Sequence, residues 1–176
     1  MDYQAEFKNF GDDYHANYAT SFPIAVFGTL RKIPSDQGNL HRMLTRDPIG
    51  HRKAFIPHML PSGIWVEFDE GASGLFEVFF YDKKDFTPVI KCVDSLEGFT
   101  PDNHYGYHRT LLSAHLLPDD YPEDSFNRGI RWDNRTLNIP EDEWKDFKTV
   151  PAWAYSNAAT NNQLNEMENS PLLWWH

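Results

Sequence analysis

Pro23-Ile24-Ala25-Val26-Phe27-Gly28-Thr29-Leu30-Arg31 is the stretch on which the reading of this chain turns. Apolar, strand-forming residues run up to a glycine, and the run closes on a threonine, a leucine and an arginine. This pattern predicts a short buried strand that delivers a tight turn. Gly28 tolerates backbone conformations closed to other residues and lets the main chain come close to a ligand, so the N–H groups from Gly28 to Arg31 can converge on an anion. Alone, a strand ending in glycine is equally an ordinary strand and turn. The remaining sequence has to decide between the two.

Downstream of that stretch, Ile33-Pro34-Ser35-Asp36 reads as a turn with an N-cap before a short helix over 38–46, where Leu40, Met43 and Leu44 share a face. His41 beside them reads as a packing or surface residue, because no second ligand type stands at a useful spacing. Ala54-Phe55-Ile56 and Ile64-Trp65-Val66 are short apolar pieces among Gly50, Pro57, Pro61, Gly63 and Gly71. They predict short strands of a meander or barrel, joined by proline-marked turns. Leu75-Phe76-Glu77-Val78-Phe79-Phe80 is nearly all apolar, the pattern of a central strand covered on both faces.

A helix is expected over 88–97. Thr87 suits the N-cap and Pro88 the first helical position, Val89, Cys92, Val93 and Leu96 recur on one face, and Gly98 offers a left-handed stop. On the helical wheel Glu97 falls between Ile90 and Val93, at the edge of the apolar face. Partial desolvation and the negative end of the helix dipole both favour its protonated form, which makes it a candidate general base with a raised pKa. The competing reading is a surface glutamate at a frayed helix end.

Tyr107 to Leu116 predicts a strand with His108, Thr110, Leu112, Ala114 and Leu116 on one face and Tyr107, Arg109, Leu111, Ser113 and His115 on the other. His104 and His108 are four apart across a loop and a strand, a spacing that does not bring two imidazoles onto one metal. Residues 118–148 form a long polar insertion carrying Trp132 and Trp144, with a short helix expected at 141–147. The last strand is expected at 149–155, where Pro151 marks an edge or a strand start. Residues 1–22 read as an extended arm and 157–176 as a polar tail with the apolar end Pro171-Leu172-Leu173-Trp174-Trp175-His176. The chain is expected to be one domain over 1–176, with a core at 23–156.

With 176 residues the chain is long enough for a sizeable core. A net charge of −10, with sixteen Lys and Arg scattered among twenty-six acids, argues against a nucleic-acid surface. The single cysteine, Cys92, excludes an internal disulfide framework, and no apolar run has the length of a membrane span. A reduced, soluble, cytoplasmic protein is the expectation. Cys92 as a hydrolytic nucleophile is disfavoured, since it lies on the apolar helix face.

Four pieces in order carry a resemblance: Val26-Phe27-Gly28-Thr29-Leu30-Arg31, Val93-Asp94-Ser95-Leu96-Glu97-Gly98, Tyr107-His108-Arg109 and Ala152-Trp153-Ala154-Tyr155. Over residues 23–156 the chain resembles the γ-glutamylcyclotransferase-like family. The resemblance implies an α+β fold, a small mixed, mostly antiparallel β-barrel with a few flanking short helices. It implies Glu97 as the catalytic acid/base, with Phe27, Gly28, Thr29, Leu30, Arg31, Tyr107 and Tyr155 around a small γ-glutamyl substrate, and it calls for neither cofactor nor metal. Tyr155 ranks above Arg31 and Tyr107 as an orienter on the same ground. Phe27 stands where the family carries a tyrosine, a departure that bears on substrate identity. The expected function is release of 5-oxoproline and a free amine. The alternative is a non-catalytic binding protein that keeps the barrel and its anion-binding turn, with 118–148 or the C-terminal tail as a surface for a protein partner or a homodimer.

Overall fold

The computed structural model describes residues 22–31, 44, 46–62, 65–99, 107–121, 126–128, 135–137 and 139–157. The arm up to residue 21, most of the expected 38–46 helix with His41, the 100–105 turn with His104, Trp132 and the tail beyond 157 lie outside these residues. In chain order the elements are β1 (Ile24–Val26), a 3-10 turn (Gly28–Leu30), β2 (Gly50–Phe55), β3 (Met59–Ser62), β4 (Trp65–Phe68), β5 (Leu75–Phe80), α1 (Lys83–Glu97), β6 (Tyr107–Leu116), β7 (Phe126–Arg128), β8 (Arg135–Leu137), a second 3-10 segment (Glu141–Asp146) and β9 (Thr149–Asn157).

Five strands close into a barrel in the order β1-β5-β2-β6-β9. Every pairing is antiparallel except the closing one, where β1 meets β9 in parallel at Ile24 and Trp153. The fold is therefore a mixed α+β arrangement around a closed, mostly antiparallel barrel. β5 is the central strand that its apolar sequence predicts, paired on both sides and buried from Leu75 to Phe79.

The alternation expected along the 107–116 strand sorts the core. Leu112, Ala114 and Leu116 join Ala25, Ala54, Phe76, Val78, Ala152 and Ala154 in one buried cluster. All five barrel strands contribute to it, so it fills the barrel interior, and its many alanines suit so narrow a closure. Leu111 and the ring of Tyr107 turn the other way, joining Ile24, Val26, Phe79, Trp153 and Tyr155 beneath α1. A third cluster seats Leu137 and Trp144 of the 118–148 insertion against Phe55, Leu75 and Leu117. That part of the insertion is structural packing, and the helix expected at 141–147 is present as the 3-10 segment.

Three readings of local structure are corrected. α1 begins at Lys83, five residues before the expected start: Asp82 is the N-cap, its side chain accepting from the Asp85 N–H at 3.0 Å, and Pro88 lies inside the helix. Thr-Pro imitates a helix start, but burial of Phe86 extends the apolar stripe back by a turn and outweighs the one main-chain bond lost at proline. Pro61 does not mark a turn; it lies in β3 and pairs with Val66 of β4. Pro151 stands well inside β9, opposite Ser113. Bonds from Leu116 N–H to the Lys148 carbonyl and from Trp153 N–H to the Pro23 carbonyl show that odd-numbered β9 residues turn their N–H away from β6. Pro151 thus lacks its donor on the side of β1, ahead of the point where β1 pairs.

Gly98 caps α1 as expected, at φ 67° in the left-handed region. A Cβ added there meets nothing within 4 Å, so only backbone strain opposes a side chain. Gly98→Ala is expected to cost roughly 1–2 kcal/mol in a urea melt; a neutral effect would contradict the left-handed cap.

Candidate active site

The stripe that α1 presents to the barrel consists of Phe86, Val89, Ile90, Val93 and Asp94. Leu96, expected on that face, is one of two large apolar side chains that stay exposed among the described residues. Glu97 continues the series 86, 90, 93 at helical spacing and is half-buried at the end of that stripe. Burial alone pushes its pKa up to about 7.

Asp94, one turn before Glu97, fixes how the helix lies on the sheet. Its Oδ2 is 3.1 Å from Nη1 of Arg109 on β6, and its Oδ1 accepts a 2.6 Å hydrogen bond from the Tyr155 hydroxyl on β9. All three side chains are buried. Advancing three residues along α1, about 4.5 Å, leads from Asp94 to Glu97. Two residues along β6, about 6.6 Å, lead on the same face from Arg109 to Tyr107. The Glu97 charge is felt at Tyr107 and, as the least of several influences, at Tyr155. The phenol's pKa is raised by burial first and by the negative charge of Glu97 second, against a hydrogen bond with the Val66 main chain that works the other way.

Tyr107 also links Glu97 to the opening turn. Its ring packs at 6.1 Å from that of Phe27, which in turn meets Phe76 edge-on at 6.0 Å. Phe27 enters the 3-10 turn of Gly28, Thr29 and Leu30, and Gly28 holds φ 58°, a conformation that favours glycine. Within the turn the Arg31 N–H is taken by the Gly28 carbonyl at 3.2 Å, while Gly28 and Thr29 have no acceptor inside so short a helix. Tyr107 thus touches Phe27 at the entry to the turn and feels the charge of Glu97 at the helix end.

Two expected site residues are engaged with protein groups. Tyr155, fully buried, donates to Asp94; burial first, then the Asp94 charge, raises its pKa well above the usual phenol range. Arg31 turns toward β5, its Nε 3.5 Å from the Glu77 carboxylate, which is also 3.2 Å from His51 Nε2. Leu30 is buried in the core beneath α1. Of the other expected site residues, Tyr107 is the one linked both to Phe27, by ring contact, and to Glu97, by its charge.

Asp94, Arg109, Glu77 and His51 were not singled out from the sequence. Signals for two of them were present: Glu77 is the one charge in an apolar strand, and Asp94 stands at helical spacing from Phe86 and Ile90. Among the described residues no group of three or more His, Cys, Asp or Glu side chains is placed to hold a metal ion, and no helix is long and apolar enough to cross a membrane. No model of a known protein family matches the chain, and no curated protein sequence matches it.

Proposed function

We propose that the protein is a γ-glutamyl cyclotransferase acting on a small γ-glutamyl amine or γ-glutamyl amino acid, with the γ-glutamylcyclotransferase-like fold that its ordered motifs imply. The observation that carries this reading is a helix-end carboxylate whose pKa burial raises to about 7 and whose charge reaches Tyr107, a ring packed on Phe27 at the entry to the glycine turn. In the reaction the substrate's α-amine attacks its own γ-amide carbonyl. The new N–C bond closes a five-membered ring, the bond from that carbon to the leaving amine breaks, and 5-oxoproline is released. The nucleophile is part of the substrate, so its effective concentration is already high.

What the protein has to supply is proton movement and charge placement. Glu97 accepts the proton that the attacking amine loses and returns it to the leaving amine, a double duty best served by a pKa close to the working pH. The Gly28 and Thr29 N–H groups suit an anionic oxygen, either the developing oxyanion or the α-carboxylate. Tyr107 orients whatever lies between Glu97 and Phe27. Phe27 offers an apolar surface and no hydroxyl, so a substrate group lodged against it makes no hydrogen bond there.

Glu97 has to be ionised to act as the base. Accordingly, kcat/KM is expected to rise with pH through about 7 and then level off; a profile flat from pH 5 to 9 would contradict the assignment. The test of the function itself is mass-spectrometric detection of 5-oxoproline from γ-glutamyl amino acids, γ-glutamyl-lysine and glutathione. Release from none of them would favour the binding role.

A further inference from the structure

Glu97 is the last residue of α1, where helices fray, yet a proton carrier has to keep its place to within a fraction of an ångström. Two residues bracket it, and Arg109 grips both. On one side Asp94 sets its carboxylate 3.1 Å from the guanidinium. On the other, the Phe99 ring packs against the same guanidinium at 5.3 Å, and Trp153 does so at 4.9 Å. The main chain closes the bracket: the Phe99 N–H donates to the Asp94 carbonyl at 2.8 Å, and the Gly98 N–H donates to the carbonyls of Asp94 and Ser95. Tyr155 then ties Asp94 to β9.

We propose that Arg109, Asp94 and Tyr155 form a clamp that positions Glu97, and that Tyr155 acts through Asp94 instead of touching the substrate. The proposal rests on the cyclotransferase reading of Glu97. Tyr155 spends its hydroxyl proton on a buried carboxylate and is 2% exposed, so it has neither the donor nor the access that a substrate contact requires. Arg109 presents a planar fork that meets a carboxylate at its edge and aromatic rings at its face, which a lysine cannot do at once. Opposite charges on Arg109 and Asp94 cancel, so the clamp brings no net charge to the helix end, and burial continues to govern Glu97. The titratable and charged groups meeting here are Asp94 and Glu97 on α1, Arg109 and Tyr107 on β6 and Tyr155 on β9.

The test uses the full chain with Tyr155→Phe, which removes one hydroxyl and leaves the Asp94–Arg109 pair. Two readouts are taken: steady-state kinetics on whichever γ-glutamyl compound the native protein turns over, and amide hydrogen exchange at Gly98 and Phe99. The clamp predicts kcat lower by roughly 10-fold or more with little change in KM, because the proton carrier is misplaced while substrate contacts survive. The pH midpoint near 7 is expected to stay, and the two amides to exchange roughly 10-fold faster while those of β5 do not change. A raised KM at unchanged kcat would overturn the proposal by making Tyr155 a substrate contact, as would unchanged exchange at both amides. If the variant does not fold, Phe99→Leu is expected to give the same kinetic signature, and wild-type kcat in that variant would overturn the clamp. Should the native protein release no 5-oxoproline, the exchange measurement alone decides the clamp, and only the cyclotransferase reading falls.

Discussion

Replacing Glu97 with glutamine is expected to lower 5-oxoproline release by ~10²- to 10⁴-fold, the range that a positioned proton-transfer group typically contributes. Glutamine keeps the shape of the side chain but neither takes a proton from the attacking amine nor returns one to the leaving amine. Substrate binding is expected to survive, so the loss should fall on kcat. Unchanged release would remove Glu97 from the mechanism.

The same substitution also tests the environment of Glu97 without any substrate. In the folded state its pKa is raised from an ordinary value of 4.5 to about 7. Between those two values the folded protein holds more protons at this site than the unfolded chain does. Stability from this group is therefore fully present below about 4.5 and is lost as pH rises through 7. Glutamine does not titrate, so Glu97→Gln should lose less stability than the native protein between pH 5 and 8, as read by urea midpoints. Parallel curves for the two proteins would mean that the carboxylate is solvated, and the turnover result would then need another cause.

How far the sequence carried depended on whether a feature was local. The two faces of β6 could be read because strand alternation is set by neighbouring residues, and the left-handed stop at Gly98 because only local backbone conformation decides it. The helix that carries Glu97 and the half-buried position of that residue are legible from spacing alone, whereas the Thr87-Pro88 signal hides the first turn with Phe86. The barrel is what the resemblance implies, but the pairing that closes it is not legible in the residues: it depends on Ile24 finding Trp153 in parallel across most of the chain, and a three-residue strand has no pattern that announces a partner. Nor did spacing predict that Asp94 would meet Arg109, since their contact exists only once α1 has docked across β6. Arg31 shows the same limit from the other side: its place in the opening stretch suggested a ligand, whereas the fold brings Glu77 to it.

That pairing sets the second large effect. Glu77 is fully buried and Arg31 is 1% exposed, so neither charge can turn to water when the other is removed. Glu77→Leu fills the space left by the carboxylate but takes the opposing charge from a buried guanidinium, and the expected loss is about 3–5 kcal/mol. For a chain of this size that corresponds to a fall in Tm on the order of 10 °C. His51 lessens the loss little: its ring stacks on Phe79 at 5.2 Å and, being 28% exposed, it can be hydrated without its partner. Removing both charges is a different experiment. Arg31→Met with Glu77→Leu removes the attraction and the desolvation of both charges together, and because two buried charges give back much of their attraction in desolvation, the double variant is expected to lose much less than the single one. The single substitution is thus expected to be far worse than the double. If the two losses simply added, the pair would not be acting as a buried unit.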